Sequence, residues 1–293
     1  MTNPLLLHSV SYAGLWGQAA LKIDEVVDRA ADLGFEGVML MAKRPHVSPL
    51  DYGPVEREKL RRKLDGRPVV LAGYCNLTGD LEHGEIPHRE LNVVYLEELA
   101  RLAADLGANA VRVFTGYEHP SGNWAAQWKL IADTLREAAD RAEAHGVTLG
   151  VQNHHDHAVG WRSLLDLLRA AGHPNLKAMF DAWAPALHGE NLRECAHALA
   201  PVTIHTTVAD YQLRPRHRYQ PALVNYEPAT PYTMAVPMGE GMIDYRAFFA
   251  GLTAGGFTGT VAYEMCSPLL DGGDLATLDR YARRFVEWMR GLD

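Results

Sequence analysis

Cysteine is scarce. The 293 residues hold three, Cys75, Cys195 and Cys266, far apart and without a CxxC. That spacing excludes a disulfide framework and a zinc ribbon, and reduced thiols of a cytoplasmic protein are expected. No apolar run reaches the roughly 18 residues that span a bilayer. Met1-Thr2-Asn3-Pro4 lacks the basic stretch that opens a secretory signal. Positive charge is short too: 28 Lys and Arg against 36 Asp and Glu leave −8. That is poor footing for gripping a phosphate backbone, so neither nucleic acid nor membrane is expected as a partner. No GxGxxG follows the first apolar run, which removes the dinucleotide-binding signature. No linker or low-complexity stretch divides the chain, and residues 1–293 read as one domain.

What is present is a repeated punctuation. Helical stretches end at Gly34, Gly107, Gly146, Gly172 and Gly256, and an apolar run follows each within a few residues. Glycine supplies the left-handed backbone that closes a helix, and runs this short read as buried strands. Strands are predicted near 5–10, 36–41, 69–75, 110–115, 147–152, 177–181, 202–206 and 260–265. Helices are predicted near 20–33, 54–64, 89–106, 123–145, 161–171, 191–199, 244–254 and 274–290. Strict alternation implies a parallel sheet with helices outside, and eight repeats favour a closed (β/α)8 TIM barrel. One connection is long. Residues 207–242, between strand seven and helix seven, are expected to form a loop that serves as a lid or a subunit contact.

A barrel of this kind places its chemistry at the C-terminal strand ends. Strand five ends in Gln152-Asn153-His154-His155, strand six in Asp181, and strand seven carries His205. Strand eight ends in Glu264. An amide oxygen, two carboxylates and an imidazole at one end suit a single divalent ion, manganese before magnesium, cobalt or zinc. Taken singly, each residue has a plainer reading: Asp181 as a helix cap, His205 as a core histidine, and 154–157 as a solvated loop.

Over nearly its whole length, and most strongly from Gly146 to the end, the chain resembles the xylose-isomerase-like superfamily of sugar phosphate isomerases and epimerases. The likeness rests on Gly146-Val147-Thr148-Leu149 before Gln152-Asn153-His154, on Phe180-Asp181 before an aromatic, and on Ile204-His205. It rests also on Pro237-Met238-Gly239-Glu240-Gly241 and on Tyr263-Glu264. The resemblance implies that Gln152, Asp181, His205 and Glu264 are the metal ligands. It implies a metal-dependent isomerase or epimerase acting on a keto-sugar through an enediolate. A glutamate is expected where Gln152 stands, and an amide cannot carry a proton near neutral pH. Glu264 is then the remaining acid/base carboxylate, with His154 or His155 as the second proton carrier.

The alternative is a lyase using the same enolate step, such as a keto-inositol dehydratase or a 3-keto-glycoside or C-glycoside cleaving enzyme. An apurinic endonuclease-like nuclease is disfavoured by charge and by the missing histidines of strands three and four. A non-catalytic sugar-binding barrel is the remaining class. Lys43, His46, Trp16, Trp183, Glu118 and Arg214 are candidate substrate contacts. Each has a plainer reading as solvated loop or packing. The expected partners are a small carbohydrate, with a second copy or a small partner subunit as further candidates.

Overall fold

The computed structural model describes residues 2–78, 86–119 and 123–292. Its elements, in order, are β1 (Leu5–His8), α1 (Ile23–Asp32), β2 (Gly37–Met41), α2 (Pro54–Leu64) and β3 (Val69–Ala72). Then come α3 (Ile86–Asp105), β4 (Ala110–Val113), α4 (Trp124–Glu143), β5 (Thr148–Gln152) and α5 (Trp161–Ala171). There follow β6 (Leu176–Met179), α6 (Trp183–Leu187), α7 (Leu192–Leu199), β7 (His205–Val208), β8 (Asp210–Gln220) and β9 (Asn225–Val236). The chain closes with α8 (Tyr245–Ala254), β10 (Thr260–Tyr263) and α9 (Leu275–Arg290).

The glycines read as helix endings behave so. Gly34, Gly107, Gly146, Gly172 and Gly256 all hold positive φ, between 64° and 87°, a region that glycine enters without a Cβ penalty. Side chains cap the opposite ends: Asn123 accepts from the Ala125 amide, and Asp274 from the Thr277 amide.

Eight strands pair in parallel in the order β6-β5-β4-β3-β2-β1-β10-β7. The seam between β6 and β7 is drawn together by a bridge from Ala178 to Thr203 and by the Ile204 amide on the Ala178 carbonyl, 2.9 Å. The result is a nearly closed TIM barrel. Alternation along each strand separates two cores. Val38, Leu40, Val111 and Val113 pack outward against the helices. Leu6, Met39, Val70, Ala110, Met179 and Ala262 fill the interior. By the same alternation, His8 shares the inner face of β1 with Leu6, and Arg112 shares that of β4 with Ala110.

The loop expected over 207–242 is a correction. Most of it is an antiparallel ribbon, β8 against β9, in register from Asp210↔Val236 to Gln220↔Asn225 with a shift between Arg214 and Arg216. Pro215, Pro228 and Pro231 lie within it, where each strand has a free edge and a missing N–H is tolerated. The carboxylate of Asp210 anchors its base, accepting from the amides of Gly239 and Gly241 at 3.0 and 2.9 Å. A Cβ on Gly241 would lie 1.9 Å from that carboxylate. Among the described residues, no helix is long and apolar enough to cross a membrane. All three cysteines are free thiols.

Candidate active site

A cavity of about 310 Å³ opens where β5, β6, β7 and β10 end. Gln152, His154, Asp181, Thr207 and Glu264 line it, with Trp16 and Trp183 as aromatic walls. The base of the ribbon contributes Tyr211 and Thr233.

Asp181 is the hub of one side. Its carboxylate accepts a very short hydrogen bond from Gln152 Nε2, which also donates to Thr207 Oγ1 at 3.1 Å. The Trp183 amide donates to the other carboxylate oxygen at 3.0 Å. Asn153 braces the backbone, accepting from the Asp181 amide at 2.7 Å and donating to its carbonyl at 3.0 Å. Burial raises the Asp181 carboxyl to about 6, even though the bonds from Gln152 and Trp183 pull it the other way. Gln152 turns its NH2 toward Asp181 and Thr207, the orientation that suits the ionised form of the carboxyl. Its Oε1 is left buried without a partner.

Glu264 commands the opposite side. Arg112, 1 % exposed, places Nη1 2.8 Å from Glu264 Oε1. The guanidinium lies 5.3 and 4.7 Å from the centres of the Tyr74 and Phe114 rings, which themselves meet edge to face. Gly150 stands opposite Arg112 across the β4–β5 ladder, where no side chain intrudes. His8 Nε2 approaches the same Glu264 oxygen at 3.2 Å but off hydrogen-bond geometry. Burial alone would raise the Glu264 carboxyl; Arg112, with His8 beside it, instead holds it well below its ordinary value. Burial also lowers His8 and keeps it neutral, so the charge that decides the matter belongs to Arg112.

The donors present do not fit a divalent ion. Gln152 is a neutral amide that spends its NH2 on Asp181 and Thr207, Thr207 offers a hydroxyl, and Glu264 is already engaged by a guanidinium. Among the described residues, no three His, Cys, Asp or Glu side chains form a group suited to a metal. His205 stands apart from these donors, with its Nε2 buried and without a hydrogen-bond partner. It begins β7, pairs across from Thr260, and sets its Nδ1 2.7 Å from Thr260 Oγ1. Burial depresses it to about 3. It does not line the cavity; Thr207, two residues on and therefore on the same strand face, does.

The other candidates divide. Trp16 and Trp183 are brought to the cavity, and so is His154, kept neutral chiefly by burial. His155 is not. It packs at a φ of 61° against Phe114 and Tyr117, and burial lowers it to about 4. His46 spends both ring nitrogens on Ser9 Oγ and the Leu21 carbonyl, at 3.0 and 3.1 Å. Lys43 rests its ammonium 3.9 Å from the Tyr74 ring centre. Glu118 is exposed, its amide donating to Asp156, and Arg214 sits on the ribbon opposite Tyr232. None of these four lines the cavity. Arg112, His8 and Thr207 escaped the sequence reading. A lone arginine inside Ala110-Val111-Arg112-Val113-Phe114 was the available signal, since an arginine in a strand buried on both faces must find an anion.

A sequence profile of the xylose isomerase-like TIM barrel family matches residues 27–292. No curated protein sequence matches the chain. Among solved structures, an L-ribulose 3-epimerase aligns with a TM-score of 0.76 at 17% identity, over 100% of this chain and 95% of that one. D-psicose 3-epimerase from Clostridium cellulolyticum H10, determined with D-tagatose, gives 0.77 at 16% identity over 99% of both chains. A probable 3-DHS dehydratase from Bacillus anthracis gives 0.68 at 16% identity, over 99% of this chain and 100% of that one. At these identities the likeness establishes the fold.

Proposed function

The chain belongs to the xylose isomerase-like TIM barrel family, and from that premise we propose that it is an isomerase or epimerase of a keto-sugar or similar hydroxylated carbonyl compound. The observation that carries this reading is two carboxyl groups in one cavity with opposite tendencies: Asp181 drawn up to about 6 and Glu264 held ionised. Paired carboxyls pushed apart in this way suit a base and an acid working together.

Trp16 and Trp183 offer flat apolar faces for a sugar ring, and the unpartnered Gln152 Oε1 accepts from a substrate hydroxyl. Glu264 takes the proton from the carbon beside the carbonyl. Asp181, in its acid form, gives its proton to the carbonyl oxygen, and a neutral enediol results. A proton returned to the neighbouring carbon gives the isomer, with Asp181 recovering its proton from the new carbonyl. For the epimer, Asp181 takes back the enediol hydroxyl proton and delivers it to the first carbon on its other face, after which Glu264 releases its proton to water and Asp181 takes one up. The same pair supports a lyase reading, because the acid form of Asp181 can protonate a departing hydroxyl β to the carbonyl.

The test is proton exchange into keto-sugars and 3-keto-glycosides in heavy water, followed by NMR. Deuterium entering beside the carbonyl, and lost with Asp181→Asn and Glu264→Gln, supports the reading. Exchange that survives both variants contradicts it. A product carrying a new double bond selects the lyase.

A further inference from the structure

We propose that Arg112 is the resident cation of this site and that the mouth of the barrel works without a divalent ion. The inference stands on the placement of charges, so it holds whichever carbonyl compound is turned over.

Glu264 ends an inner strand face and needs a positive neighbour to remain ionised away from water. Arg112 supplies one through a 2.8 Å contact, from a side chain 1 % exposed that rests beside Tyr74 and Phe114. The pair is therefore already neutral. A dication beside Glu264 would face a fixed guanidinium in a region of low dielectric, where like charges repel strongly.

The opposite wall is hydrogen-bonded within itself. Thr207 Oγ1 lies 3.1 Å from Gln152 Nε2 and 3.5 Å from Asp181 Oδ2. Gln152, Asp181 and Thr207 thus form one hydrogen-bonded triangle, in which a neutral amide and a hydroxyl flank one carboxyl. Asp181 is the sole carboxylate of the three. Hard divalent ions need several anionic or imidazole donors, and this wall presents one. Asp181 Oδ2 and Thr207 Oγ1 are thus already committed to one another and to Gln152.

The experiment is calorimetric titration of Mn(II) and Co(II) into chelator-treated protein, paired with thermal melts. Three chains are compared: wild type, Gln152→Glu/Thr207→His, and that double variant with Arg112→Met added. Wild type is expected to show no saturable binding and no change in Tm at about 1 mM metal. The double variant is expected to bind, and removal of Arg112 to tighten it by roughly tenfold or more. Stoichiometric micromolar binding by wild type, lost with Asp181→Ala, would overturn the proposal. So would a double variant whose affinity is indifferent to Arg112. The readout is binding, so a failure here leaves the proton-transfer reading to be judged by its own exchange experiment.

Discussion

Arg112 Nη1 and Glu264 Oε1 stand 2.8 Å apart across the interior of the barrel, joining β4 to the residue that follows β10. A buried pair of this kind is sensitive to the loss of one partner and tolerant of the loss of both. Arg112→Met alone is expected to lower unfolding free energy by about 3–5 kcal/mol. Arg112→Met combined with Glu264→Gln is expected to recover most of that. Urea melts of the two singles and the double measure the coupling, and additive losses would contradict it.

Asp181 carries a stability signature of opposite sign. Its folded value is raised above the ordinary 3.8, to about 6. Between those values the folded chain holds more proton than the unfolded one, so stability falls as pH rises through that window. The full effect is about 3 kcal/mol. Asp181→Asn is expected to flatten stability between about pH 4 and 6 and to raise Tm at neutral pH. Glu264 is held low, so its contribution is present above its unfolded value and lost as acid protonates it. Melts across pH in wild type and variant separate the two.

The same carboxyl governs the rate. With Asp181 as the acid, kcat/KM is expected to decline as pH rises through about 6. Asp181→Asn should remove that limb while lowering activity by at least roughly a hundredfold. A profile unchanged in shape in the variant would assign the proton to another group.

Residues 205 and 207 give a direct contrast. Thr207→Val removes the hydroxyl that receives Gln152 and is expected to reduce kcat/KM by roughly tenfold. His205→Asn, below the cavity, is expected to change stability by about 1 kcal/mol and to leave kcat/KM near wild type. Steady-state kinetics on both variants decide it; the reverse order would place His205 in the site after all.

The barrel was legible because its signals are local: glycines that end helices, and apolar runs too short to be anything but strands. Gln152, Asp181 and Glu264 were legible as strand endings, where the fold concentrates its chemistry. That Thr207 and not His205 lines the cavity has a geometric reason. Positions two apart on a strand share a face, so alternation selects the inner face but not the height along it. Arg112 and His8 were hidden by a different cause. Their role depends on which side chain the closed sheet brings across the interior, and no spacing in the chain encodes that meeting. The ribbon was hidden by its prolines, which read as loop and are tolerated on free edges.

Deuterium exchange into a keto-sugar by fully chelated protein tests the whole account most directly. The account predicts that exchange persists without added metal, and that it is lost in Asp181→Asn and in Glu264→Gln. Exchange that is silent after chelation and returns on addition of Mn(II) or Co(II) would contradict it.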